Sequence, residues 1–90
     1  MVSIIKMQIV QNKQIAFTFD DGTAKIIDFA PFIGEDEMSK PLHDEEYFRK
    51  VKLLENGRGI YWPNNFDFCP DFLHDYASES SFSMDVKKAR

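Results

Sequence analysis

Apolar and polar positions alternate strictly at the start of the chain. Ile5, Met7 and Ile9 are separated by Lys6 and Gln8, and Ile15, Phe17 and Phe19 by Ala16 and Thr18. A period of two places successive side chains on opposite faces of an extended backbone, so the pattern predicts two β-strands. Asp21-Gly22 is a favoured hairpin dipeptide, because tight two-residue turns need positive φ, and it predicts a third strand from Thr23. With Asp21 and Gly22 as the whole loop, Phe19 faces Ala24 and Phe17 faces Ile26 on one side of the sheet. At the first turn, a two-residue Asn12-Lys13 loop would set Gln8 opposite Phe17, whereas a three-residue loop sets Ile9 there. The side-chain pattern favours the longer loop.

Beyond Asp28 the chain reads as a crossing segment, Phe29 to Glu37, with one helical turn and Pro41 closing it. Asp44 to Lys50 then predicts a short helix carrying Tyr47 and Phe48, with acids early and bases late as the helix dipole prefers. Val51 to Leu54 and Gly59 to Trp62 flank Asn56-Gly57, a second hairpin dipeptide, which sets Leu53 opposite Ile60 and Val51 opposite Trp62. Pro63 lacks an amide donor and ends that strand. Pro70 suits the first position of a helix and Asp71 its first turn. Phe72, Leu73, Tyr76 and Ala77 mark one face of that helix for burial and leave Asp71, His74 and Asp75 outside. The predicted class is α+β: a small antiparallel sheet of about five strands in the order β-β-β-α-β-β-α, with two short helices. Residues 1–77 form one domain. Residues 78–90, with four serines and only Phe82, Met84 and Val86 as large apolar side chains, are expected to form a mobile tail.

Composition narrows the function more than it defines it. The 90 residues are 43% hydrophobic and include nine Phe, three Tyr and Trp62, enough for a core in a domain this small. The net charge is −4. Residues 1–77 hold thirteen carboxylates against eight Lys and Arg, a net of −5, which disfavours binding to nucleic-acid phosphates. Cys69 is the single cysteine, so no intramolecular disulfide forms and a reducing compartment fits. The N-terminal residues lack the apolar block of a signal peptide, and no run is long enough to cross a membrane. A cytoplasmic location is expected.

Several segments can be read together: Phe19-Asp20-Asp21-Gly22, Asp28-Phe29-Ala30-Pro31, Leu42 with Phe48, Ile60-Tyr61-Trp62-Pro63-Asn64 through Asp67, and Pro70-Asp71 with Leu73. As a set they resemble the bacterial domain of unknown function 2442, a small α+β domain also found ahead of helix-turn-helix modules. The resemblance covers roughly residues 5 to 77, one compact domain. It implies a scaffold without established catalytic residues, working beside a small partner protein, as in toxin and antitoxin pairs. The absence of a helix-turn-helix here speaks against direct binding to DNA.

Candidate chemistry is sparse. His43 with Asp44, Glu45 and Glu46, or His74 with Asp71 and Asp75, carries metal-ligating atoms, but neighbouring acids on a helix diverge. No metal or cofactor is expected. Cys69 and His74 could form a thiolate and base, yet five residues across a helix start do not bring them face to face, and no third orienting group is evident. Arg49, Lys50, Lys52 and Arg58 are too few for a nucleic-acid surface. The reading is therefore a non-catalytic interaction or regulatory module that binds a second copy or a small partner protein. Alternation turns Ile27, Phe29 and Tyr61 away from Phe17, Phe19 and Trp62, which makes them the candidate contact residues. The alternatives are a small enzyme using Cys69 or a His and carboxylate site, or a weak nucleic-acid-binding accessory protein.

Overall fold

The computed structural model describes residues 2–76. Strands β1 (Ile4–Gln11), β2 (Gln14–Phe19) and β3 (Ala24–Asp28) form an antiparallel sheet in the order β1-β2-β3. The alternation of β2 is realised as expected, with Ile15, Phe17 and Phe19 all buried. The two turns differ from expectation. Gln11 pairs with Gln14 around a two-residue Asn12-Lys13 loop, with Asn12 at φ 46°. A bulge between Ile9 and Gln11 then sets Met7 opposite Phe17 and Ile9 opposite Ile15. Apolar register is thus restored by one extra strand residue rather than by a longer loop.

The β2–β3 turn is one residue longer than Asp21-Gly22 alone. The Phe19 amide donates to the Thr23 carbonyl (2.8 Å), and the Gly22 amide to the Phe19 carbonyl (3.0 Å). Asp20-Asp21-Gly22 is therefore a three-residue loop with Gly22 at φ 91°, the conformation that suits glycine at its third position. Phe17 faces Lys25 and Ile15 faces Ile27. A slip of one residue turns every side chain of a strand over. Ile27 and Phe29 consequently lie in the core, both fully buried, while Ile26 is turned outward and is 42% exposed. The same slip points Lys25 inward, where its ammonium donates to the carbonyls of His74 and Tyr76.

The second half forms its own sheet, so the architecture is two three-stranded antiparallel sheets rather than one sheet of about five strands. Its strands are β4 (Lys52–Leu53), β5 (Ile60–Tyr61) and β6 (Asp67–Phe68), in the order β4-β5-β6. Leu53 faces Ile60 as expected. The connecting loop is wider than a two-residue turn: Glu55–Gly57 forms a 3-10 turn closed by the Leu54 amide on the Gly59 carbonyl (2.8 Å). Leu53 is 36% exposed, and the core contributions of this ribbon come from Val51, Ile60 and Trp62. Gly57, at φ 68°, presses against β1. A Cβ there would sit 2.8 Å from the Ile4 nitrogen and closer still to its carbonyl oxygen. Strand β6 has no counterpart in the sequence-based expectation; the Pro63-Asn64-Asn65 turn reverses the chain and pairs it back on β5.

Two 3-10 turns, Ala30–Phe32 and Lys40–His43, cross between the sheets, and Pro41 lies inside the second rather than closing the segment. Helix α1 (Glu45–Phe48) is capped by Asp44, whose Oδ2 accepts from the Tyr47 amide (3.2 Å). Helix α2 (Pro70–Asp75) starts at Pro70 as expected. Leu73 is its buried apolar residue; Phe72, expected inside, is 42% exposed. A six-residue helix with apolar residues at 72 and 73 cannot turn both into the same pocket, since they project about 100° apart. Between the sheets Trp62 is fully buried against Phe29, Phe48, Phe66 and Phe68. Its Nε1 donates to the Phe48 carbonyl (2.9 Å), which satisfies the polar end of a large apolar ring. Ala77 and the expected tail, 78–90, lie outside the described residues. Among the described residues, no helix is long and apolar enough to cross a membrane.

Candidate functional site

The turn after Trp62 determines where the remaining aromatic rings go. The Asn65 amide donates to the Trp62 carbonyl (2.8 Å) and the Trp62 amide to the Phe66 carbonyl (2.9 Å). Asn65 sits at φ 72°, a left-handed position that asparagine tolerates better than most residues. Asn64 fixes the turn to its surroundings: its amide donates to the Tyr47 hydroxyl (3.0 Å), its Nδ2 to the Met38 carbonyl (2.9 Å), and its Oδ1 accepts from the Phe66 amide (3.2 Å). The reversed chain lays Phe66 and Phe68 beside Trp62. Cys69-Pro70 then starts α2 and carries Phe72 over Phe68.

The outcome is a continuous aromatic stripe. The rings of Phe68 and Phe72 stack at 5.9 Å with 24° between planes, and Phe72 lies 5.8 Å from Tyr76. Phe32, from the first 3-10 turn, touches all three, at 5.3 Å from Phe68, 5.8 Å from Phe72 and 5.2 Å from Tyr76. Phe66 extends the row, 5.2 Å from Phe68. Phe32, Phe66, Phe68 and Tyr76 are half-buried, and Phe72 is exposed. Phe32, Phe66, Phe68 and Tyr76 pack against the core, and Phe72 lies over the rings of Phe32, Phe68 and Tyr76.

The side chains singled out from the sequence fall elsewhere. Of the candidate contact residues, Ile27 and Phe29 are in the core, and Phe29 packs on Phe17 and Trp62. Tyr61 is half-buried on β5, between Lys52 on one neighbouring strand and Asp67 on the other. Cys69 is exposed at a hollow of about 380 Å³ that it shares with Arg58, Pro70 and Asp71. His74 is not part of that hollow. His43 is exposed, with Nε2 3.0 Å from the Gly34 carbonyl and 3.6 Å from Glu35, beside a second open hollow of about 540 Å³. Among the described residues, no group of three or more His, Cys, Asp and Glu is arranged to hold a metal ion.

His74 ties α2 to the β2–β3 turn. Its Nε2 lies 2.8 Å from Asp21 Oδ2 and its Nδ1 3.1 Å from Asp75 Oδ1, and its ring packs edge-on against Phe19 at 5.0 Å. Hydrogen bonds to Asp75 and to Asp21 raise its pKa above 6.5, because the protonated ring donates from both nitrogens. The backbone and side chain of Thr23, with a smaller contribution from His74, lower the pKa of Asp21. Burial lowers that of Lys25, and nearby Asp75 opposes the shift. Stabilisation by protonated His74 is fully present below pH 6.5 and is lost as pH rises through its higher folded value. Stabilisation by ionised Asp21 is present above pH 3.8 and is lost as pH falls through its lower folded value. The thermal midpoint is therefore expected to decline above pH 6.5, and His74→Gln to flatten that decline. A wild-type and variant pair with parallel profiles from pH 5 to 9 would contradict the contact.

Sequence patterning missed the stripe because it combines Phe32 with residues more than thirty positions later. One signal was present: Phe68, Phe72 and Tyr76 recur every four residues, and Phe66 and Phe68 are more apolar than a loop requires. Comparison with protein families gives a match over residues 4–79 to a family described as "Protein of unknown function (DUF2442)". No curated protein matches, and no solved structure does.

Proposed function

Because the chain belongs to the DUF2442 family of proteins of unknown function, we propose that it acts as a non-catalytic protein-interaction or regulatory module, with the aromatic stripe as its contact surface. In a two-protein pair of the toxin and antitoxin kind, such a module supplies recognition rather than chemistry. The observation that carries this reading is the exposure of Phe72, 42%, at the centre of a ring cluster that reaches from Phe66 to Tyr76. Contiguous apolar surface of this kind marks contact sites, and aromatic side chains anchor interfaces because they bury a large area at low entropy cost. Tyr61 remains a secondary contact candidate on the outer face of β5.

Phe72→Ser tests the proposal. With 42% of Phe72 exposed, the variant should keep the wild-type circular dichroism spectrum, its thermal midpoint lowered by the lost contacts to Phe32, Phe68 and Tyr76 but still well above the assay temperature. Association with a partner or a second copy should weaken at least tenfold, as loss of a central aromatic anchor does. Sedimentation and affinity capture with both proteins make the comparison. Identical association by a folded Phe72→Ser variant would contradict the assignment.

A further inference from the structure

The border of the stripe indicates what it binds. On α2, Asp71 and Asp75 are four residues apart, as are Phe72 and Tyr76, the residue that follows the helix, so an acidic pair lies beside an aromatic one. The Asp75 side chain is 80% exposed, and Asp67 and Asp71 are exposed as well. Asp71 accepts from the Val2 amide (3.1 Å) and Asp75 from His74, and each carboxylate retains further acceptor positions. Two cations border these carboxylates: Arg58 shares the hollow beside Asp71, and the Lys25 ammonium donates to the His74 and Tyr76 carbonyls. Segments 26–39 and 59–76, which supply every ring of the stripe, contain seven Asp and Glu and no Lys or Arg.

Building on the proposed interaction role, we infer that the stripe takes a basic amphipathic segment of a partner protein. Apolar side chains of the segment cover Phe68 and Phe72, and its Lys or Arg side chains reach the Asp71 and Asp75 carboxylates. A guanidinium or ammonium lying over the exposed faces of Phe72 or Tyr76 adds a cation–π contact. Charge selects this partner over the other occupants. Nucleic-acid phosphates would be repelled by the carboxylates. A two-fold pairing of stripes would bring two acidic ridges to one boundary, and like charges at an interface oppose association.

The test titrates the isotope-labelled full chain with a synthetic helical peptide of about fourteen residues, four turns, built from Leu on one face and Lys on the other. Two controls replace Lys by Glu and Leu by Ser. The Lys and Leu peptide is expected to shift the amide signals of Phe68 to Tyr76, and its affinity should fall about tenfold or more between low and high salt, as screening requires. Phe72→Ser should abolish these shifts, and the Asp71→Asn, Asp75→Asn double variant should weaken binding about tenfold, a loss consistent with two charge-assisted contacts. Neither control peptide should bind. Equal binding of the Glu peptide at the stripe, or stripe signals that move with protein concentration alone, would overturn the basic partner while leaving the contact surface in place. Binding of the Lys peptide only at the Glu35 to Asp44 hollow would also overturn it. A stripe silent to all three peptides, together with unchanged association of Phe72→Ser, would overturn both the partner and the surface.

Discussion

Trp62→Ala is expected to remove about 3–5 kcal/mol of folding free energy, the range for deleting a large buried aromatic side chain. Trp62 is fully exposed to neither face: it is enclosed by Phe29, Phe48, Phe66 and Phe68, with no accessible surface. Truncation opens a cavity that rings held by the end of β3, by α1 and by the β6 segment cannot all move to fill. A domain of this size has on the order of 5–10 kcal/mol of stability, so the variant should be partly unfolded at modest urea concentrations. Trp62→Phe separates packing from hydrogen bonding, because it keeps most of the ring volume but removes the 2.9 Å bond to the Phe48 carbonyl, which still accepts from the Val51 amide (3.3 Å); losing one such bond costs about 0.5–1.5 kcal/mol. Trp62 is the only tryptophan, so unfolding should be followed by circular dichroism. A loss below about 1 kcal/mol for Trp62→Ala would place the residue outside the core.

Gly57→Ala should be the most damaging change outside the aromatic core. Two costs combine there. At φ 68° an L-residue pays about 1–2 kcal/mol for the left-handed conformation. The added Cβ also meets the Ile4 backbone, which cannot rotate away as a flexible side chain could, and overpacking of that kind costs about 1–3 kcal/mol. The sum, about 2–5 kcal/mol, acts at the place where the turn between β4 and β5 rests on β1. Gly22→Ala is the matched control: its φ is 91°, but nothing lies within 4 Å of the added atom. Only the conformational cost applies, about 1–2 kcal/mol. Equal urea midpoints for the two variants would mean that the turn does not press on β1.

Much of this scaffold is legible in residue order, for identifiable reasons. Alternation around Phe17 marks β2 because one of its faces is buried, and Asn56-Gly57 sets the Leu53 to Ile60 register because the turn residues and the apolar pattern agree. Pro63 and Pro70 mark a strand end and a helix start through missing amides and fixed φ. The face of β3 was not legible: Asp20-Asp21-Gly22 supports a loop of two residues or three, and the choice reverses Ile26 and Ile27. What decides it is tertiary, since the longer loop sends Lys25 to the C-terminal carbonyls of α2 and Ile27 to Ile15. Strand β6 was hidden by its length of two residues, too short to show a period. The stripe was hidden because Phe32 joins it only through the crossing segment, and because Phe72 carries the same apolar signal as Leu73 while facing solvent.

Ile26 and Phe72 offer a direct comparison, since both are apolar and both are 42% exposed. A photo-crosslinking phenylalanine analogue placed at each position in turn, with irradiation in cells that produce the full chain, separates a contact surface from mere exposure. At Phe72 it should yield a discrete covalent adduct, and at Ile26, on the outer face of the first sheet, none. An adduct at Ile26 with none at Phe72 would contradict the aromatic stripe as the place where this protein meets its partner.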